Sequence, residues 1–225
     1  MTVIVFGHEK GGVGKSTLAT SFARRAIQED LRVVVVDTDP QSSSFLWHKI
    51  RSQNGHEPHV PVFQNQTSQV QNIKELKKAY EVVIVDVGAN DYDSLAAFAT
   101  IADLWIAPTK VGQADLASTV RLINAFEKAG RNHPRGKIPI GVLINMVPGP
   151  WNSSEHKDAI DMLRASCPSA HVFENIIRDR RAWRDTGRAG VGITETGDKK
   201  ATEEFENFFA ESLSFMQETA NQGVV

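Results

Sequence analysis

An octapeptide near the amino terminus, Lys10-Gly11-Gly12-Val13-Gly14-Lys15-Ser16-Thr17, constrains this chain more than any other feature. It follows a short apolar run, Val3-Ile4-Val5-Phe6, and precedes a helix-like stretch from Leu18 to Gln28. Strand, glycine loop and helix start in that order make an anion cradle. The glycines let backbone N–H groups point inward, and the helix N-terminus adds roughly half a positive charge. In such a loop Lys15 reaches the β- and γ-phosphates of a nucleotide and the Ser16 hydroxyl ligates Mg²⁺. The ordinary spacing asks for glycine at position 9, where this chain has Glu9, and a second lysine, Lys10, stands at the front of the loop.

The apolar pattern alternates strand with helix throughout. Val33-Val34-Val35-Val36 is a continuous apolar run ending in Asp37, and Val82-Val83-Ile84-Val85 repeats that design and ends in Asp86. Such runs suit central parallel strands covered on both faces. Leu104 to Ala107, Ile138 to Ile144 and a weaker His171-Val172-Phe173 read as further strands. Helical spacing marks Gln41–Ile50, Ser68–Tyr80, Ser94–Ile101, Gln113–Ala129, Ser153–Ala165 and Ala201–Met216, while polar Ser52–Pro61 reads as an exposed connection. The expected fold is a doubly wound, mostly parallel α/β sheet flanked by helices. At 225 residues the chain has the size of one large domain. Residues 1–225 are therefore read as a single unit, with about eight residues of flexible tail at the end.

In that fold ligands sit at the carboxyl ends of the strands. The glycine loop, Asp37 and Asp86 all fall there. Asp37-Thr38-Asp39-Pro40-Gln41 places two carboxylates two residues apart at one strand exit, and Asp86 supplies a third. Mg²⁺ on nucleotide phosphates keeps several waters and uses few protein oxygens, so outer carboxylates suit it. A carboxylate can also orient an attacking water, because phosphoryl transfer depends chiefly on positioning and charge stabilisation. Ser16, Asp37 and Asp86 are thus the candidate metal-holding residues.

Composition narrows the partners. The formal net charge of −2 gives no global attraction to nucleic acid or anionic lipid, so any such binding must come from a local patch. A single cysteine, Cys167, excludes an internal disulfide framework. No basic leader precedes the first strand, and no stretch approaches the ~20 apolar residues of a membrane span. A cytoplasmic location is expected.

Taken together, the octapeptide, Asp37-Thr-Asp-Pro-Gln41 and the apolar run to Asp86 resemble the ParA/MinD family of deviant Walker ATPases. Pro108, Asp115-Leu116 and Asn145 match further family positions, and the resemblance runs from Thr2 to about Phe215. It implies ATP and Mg²⁺ as ligands and an ATP-dependent homodimer. Lys10 would reach across to the phosphates of the partner's nucleotide, as an arginine finger does. Gly11, Gly12, Val13, Gly14, Lys15 and Ser16 would cradle the phosphates, with Thr17 on the α-phosphate. Asp39 would position the hydrolytic water, Asp86 would hold a magnesium-bound water, and Asn145 would read the adenine edge, with Arg180 near the nucleotide. Val87-Gly88-Ala89 departs from the prolines that many relatives have after the Asp86 position.

Within the family, a MinD-like branch ends in a basic amphipathic helix, whereas this chain ends in the acidic stretch Glu203–Glu211 with a phenylalanine stripe that suits core packing. Cluster-binding relatives need more cysteine than Cys167. A basic cluster, Arg178, Arg180, Arg181, Arg184, Arg188, Lys199 and Lys200, could hold duplex phosphate without sequence specificity, or could be a solvated helix face paired with Asp179, Asp185 and Glu195. The resemblance is greatest to short ParA-type partition ATPases, which act on the nucleoid with a small ParB-like adaptor that stimulates hydrolysis. Two alternatives remain open. One is a related ATPase that positions a protein cluster or organelle, and the other is a metabolic ATP-dependent ligase on the same scaffold.

Overall fold

The computed structural model describes residues 2–64, 70–76, 78–89, 92–149 and 154–222. Ser68 and Ser153, the expected starts of two helices, lie outside the described residues. Seven strands form one sheet: β1 (Thr2–Phe6), β2 (Val33–Asp37), β3 (Val62–Gln64), β4 (Val82–Asp86), β5 (Leu104–Thr109), β6 (Ile140–Ile144) and β7 (His171–Val172). All neighbours are parallel, in the order β3-β2-β4-β1-β5-β6-β7. The helices are α1 (Lys15–Ile27), α2 (Ser43–Gln53), α3 (Val70–Leu76), α4 (Tyr92–Ala99), α5 (Gln113–Ala129), α6 (Glu155–Ser166), α7 (Arg181–Ala189) and α8 (Lys199–Gln222).

The continuous apolar runs are central strands, as their sequence implies. Every residue of β2 and of β4 is buried. Along β1 the side chains alternate between two cores. Val3 and Val5 pack with Phe98, Phe126 and Leu163 on one face; Ile4 and Phe6 pack with Phe22, Phe205 and Phe208 on the other. The α8 stripe is core: Phe205, Phe208 and Phe209 are almost wholly buried, and Phe209 lies 4.5 Å from Phe22 between ring centroids. No helix among the described residues is long and apolar enough to cross a membrane.

Chain order places the site. From β1 the chain moves out to β2 and β3, returns to β4, and then crosses to β5 on the other side of β1. The carboxyl ends of β1, β2 and β4 therefore border a topological switch point, where such sheets bind ligands. The register also pairs Asp37 with Asp86, and Asp86 with Phe6, side by side at those ends.

Several elements depart from the expected pattern. β3 is a short edge strand in which only Val62 is buried, too brief for an alternation signal. The helix expected over Ser68–Tyr80 is described only at Val70–Leu76. β6 begins two residues late, after Pro139, which cannot donate to a ladder. Of the expected flexible tail, residues 218–222 continue α8 with Thr219 buried, and the last three lie outside the described residues.

Candidate functional site

The octapeptide joins the end of β1 to α1. Gly12 and Gly14 have φ of 68° and 93°, which glycine adopts without strain. A Cβ on Gly14 would also lie 2.4 Å from Asn145 Nδ2. That amide nitrogen donates to Val13 O at 2.7 Å, so Asn145 at the end of β6 buttresses the loop as well as standing beside it. Lys15 is buried and donates from Nζ to Lys10 O at 2.9 Å. Burial lowers its pKa, while Asp86 and Asp39 work in the opposite direction.

The three carboxylates are differently placed. Asp37 is fully buried, and each of its oxygens accepts a backbone N–H: Oδ1 from Asp39 at 3.0 Å and Oδ2 from Phe45 at 2.9 Å. The carboxylate expected to help hold a metal thus shapes the turn into α2. Asp86 is also fully buried. Its Oδ2 accepts from Ser44 Oγ at 2.7 Å, and its Oδ1 has no hydrogen-bond partner. Burial and the adjacent Asp37 charge push its pKa up to about 7, against the pull of the nearby Ser16 and Ser44 hydroxyls and the Lys15 ammonium. Asp39 is half-buried at the rim, with Oδ1 accepting the Gln41 N–H at 2.9 Å.

Two cavities meet at the loop. One, of about 620 Å³, is lined by Gly11, Gly12, Gly14, Lys15, Ser16, Thr17, Asp39 and Ala89 among others. The second, of about 300 Å³, shares Gly14, Thr17 and Met146 and adds Asn145, Arg178, Asp179, Trp183, Arg184 and Arg188. The first has the loop N–H groups and the Lys15 ammonium of a phosphate site; the second is more apolar and suits a flat ring system.

The basic cluster is divided by this geometry. Arg178, Arg184 and Arg188 line the second cavity, whereas Arg180, Arg181, Lys199 and Lys200 line neither. Glu204 of α8 holds Arg180, and its Oε2 also accepts the Arg178 N–H at 3.3 Å. Arg180, expected near the nucleotide, braces α8 and lines neither cavity. Arg184 pairs with Asp179 at 2.6 Å, and Arg181 and Arg188 pair with Asp185 at 3.4 and 3.5 Å.

A family model described as the CobQ/CobB/MinD/ParA nucleotide binding domain matches residues 4–190. The chain belongs to this family. Maintenance of carboxysome distribution protein A from Halothiobacillus neapolitanus is 26% identical over 190 residues, covering 84% of each chain. Apo McdA from Cyanothece superposes with a TM-score of 0.73 at 18% identity, over 95% of this chain and 99% of that one. The MinD cell division protein of Aquifex aeolicus does so with a TM-score of 0.72 at 16% identity, over 95% and 98%. At those identities the two structures establish the shared fold.

For this member of the CobQ/CobB/MinD/ParA family, sequence reasoning missed two residues that flank the octapeptide. His8 is fully buried; its Nδ1 accepts the Lys10 N–H at 3.0 Å and its Nε2 lies 3.0 Å from Thr119 Oγ1 on α5. Burial and the Lys15 charge push its pKa down to about 4, so it is neutral near pH 7, with Nε2–H donating to Thr119. Glu9 accepts hydrogen bonds from Ser118 and, at 3.0 Å, from Arg121 on α5, and from the Tyr92 hydroxyl at 3.1 Å on α4. The only advance signal for Glu9 was its place where glycine was due; its partners lie about a hundred residues away.

Proposed function

We propose that the chain is an ATPase that closes into a homodimer on ATP and positions a large protein assembly inside the cell, opening again on hydrolysis. The observation that carries the ATPase reading is the layered placement of charge around the glycine loop. Lys15 and Asp86 are buried beneath it, while Lys10 and Asp39 are half-buried at its rim. The inner pair suits binding, and the outer pair suits a step completed at a subunit interface.

Lys15 and the loop N–H groups would hold the phosphates, with the base in the adjoining cavity beside Asn145 and Trp183. The residues present fit a magnesium ion: Asp86 Oδ1 is buried with no hydrogen-bond partner, and Ser16 lies in the first turn of the helix that follows the cradle. Ser16 would ligate the metal, and Asp86 would hold one of its waters. Bound there, the ion neutralises charge on the phosphates. Asp39 would orient the attacking water from the rim. Lys10 would be given to the partner's nucleotide, so that hydrolysis requires assembly.

The cargo rests on likeness. The carboxysome distribution protein aligns with 84% of this chain, and Cyanothece McdA superposes on 95% of it. That likeness moves a protein assembly ahead of plasmid or chromosome DNA as the thing positioned. A separate observation keeps DNA in the account as the track: the side chains of Arg181 and Arg188 are 84% and 74% exposed, although each shares Asp185. A salt-sensitive, ATP-selective affinity for duplex DNA would support that role. The reading as a whole is tested by light scattering of the purified protein with ATP, ADP and no nucleotide. It expects a dimer with ATP alone, and in cells lacking the gene it expects a mispositioned protein assembly with plasmid inheritance unchanged.

A further inference from the structure

The rim lysine is held in an unusual way. Its backbone N–H is taken by His8 Nδ1, and its backbone carbonyl by Lys15 Nζ at 2.9 Å. The residue before it, Glu9, is tied to two helices at once through Ser118, Arg121 and Tyr92. Lys10 therefore has both backbone polar groups and its preceding side chain fixed, and its own side chain is what remains to act.

We infer that Glu9 is a positioning residue for Lys10: it bolts the front of the loop to α4 and α5 so that the Lys10 ammonium is held ready for the second subunit. A glycine at this position, as in an ordinary phosphate loop, has no side chain to make such a tie and leaves the front of the loop conformationally free. A carboxylate so near a phosphate site would repel the nucleotide unless its charge were met. Here three donors meet it, its side chain is only 12% exposed, and they hold its pKa below the ordinary value despite burial. Tyr92 opens the helix that follows Asp86-Val87-Gly88-Ala89, so the tie also links Lys10 to the strand exit that carries Asp86. Holding a side chain in advance of its encounter lowers the ordering cost of that encounter. Glu9 should thus matter for pairing and turnover, and little for the nucleotide held by its own subunit.

This rests on the ATP-dependent dimer proposed above. Wild type, Glu9→Ala, Glu9→Gln and Tyr92→Phe are compared by binding of a fluorescent ATP analogue, by ATP-dependent dimerisation in sedimentation, and by steady-state ATP hydrolysis. The expected result for Glu9→Ala is analogue affinity within about twofold of wild type and dimerisation weakened about tenfold, the worth of roughly one of the three charge-assisted hydrogen bonds the substitution removes. Its kcat should fall while KM for ATP holds, and Glu9→Gln, which still accepts from Tyr92 and Ser118, should recover part of the loss. Tyr92→Phe removes one donor from a residue that is 61% exposed, so it should fold normally and weaken dimerisation in the same direction by less. Unchanged dimerisation in Glu9→Ala and Tyr92→Phe overturns the assignment and leaves the dimer reading intact. Analogue affinity that falls in step with dimerisation overturns it too, because Glu9 would then serve the fold of the cradle itself. A wild type that stays monomeric with ATP defeats the dimer reading, and this assignment with it.

Discussion

Asp37 and Asp86 are register partners on adjacent strands, both fully buried, yet their carboxyl groups have different tasks. Asp37 has both oxygens on backbone N–H groups and fixes the turn that carries Asp39 to the rim. Asp86 keeps one oxygen without a partner, facing the same buried region as Lys15. The Asp37 charge adds to burial in raising the Asp86 pKa, and the Lys15 ammonium works against both.

Replacing Lys15 with Ala should weaken nucleotide binding by about 10²-fold or more, since a charge-assisted contact to phosphate is lost and buried Asp86 loses its counter-charge. Calorimetric titration with ATP checks this. Wild-type affinity in the variant would remove the octapeptide from the account.

Asp39→Ala should keep ATP binding and lower kcat by about 10²- to 10³-fold, the range for loss of a group that positions a reactant. Because opening follows hydrolysis, the variant should accumulate as a dimer. Single-turnover hydrolysis with light scattering reads both quantities.

Phe208→Ala should destabilise the fold by about 3–5 kcal/mol, the usual cost of a buried phenylalanine cavity. Phe208 is fully buried and meets Phe173 at 5.2 Å and Phe22 at 6.3 Å between ring centroids. Urea denaturation measures the change, and a loss below about 1 kcal/mol would mean that α8 is not part of the core.

Glu195 sets a pH dependence. It pairs with buried Arg51 at 2.9 Å and with Arg24 at 2.8 Å. Burial alone would raise its pKa, but Arg51, the Gly192 N–H and Arg24 outweigh that and hold it below 4.5. A depressed carboxylate pKa contributes stability that is full above the unfolded value and lost as pH falls through the folded one. Glu195→Gln should thus be less stable than wild type near pH 7, and the gap should narrow as pH is lowered below about 4.5. Urea midpoints across that range test it, and a gap independent of pH would contradict it.

Much of this molecule was legible from local pattern. The octapeptide, the valine runs and the acids that end them are contiguous signals, and the parallel sheet placed them together. The phenylalanine stripe of α8 announced a core face for the same reason. Other features depend on distant partners. Glu9 is explained by Ser118 and Arg121, and Arg180 by Glu204; nothing within a helical turn marks either contact. Asp37 and Asp86 look alike as acids at strand ends, and only the hydrogen bonds to Asp37 separate their roles. The arginines of α7 left two readings open, a phosphate-binding patch or a helix face paired with nearby acids, and the pairs with Asp179 and Asp185 are present.

The central claim is that nucleotide binding belongs to one subunit and its use to two. Lys10→Ala tests this most directly, by measuring ATP affinity and ATP-dependent dimer mass on the same protein. The account predicts affinity within about threefold of wild type, under 1 kcal/mol, together with loss of the ATP-dependent dimer. A Lys10→Ala protein that dimerises on ATP and hydrolyses it as wild type does would contradict it.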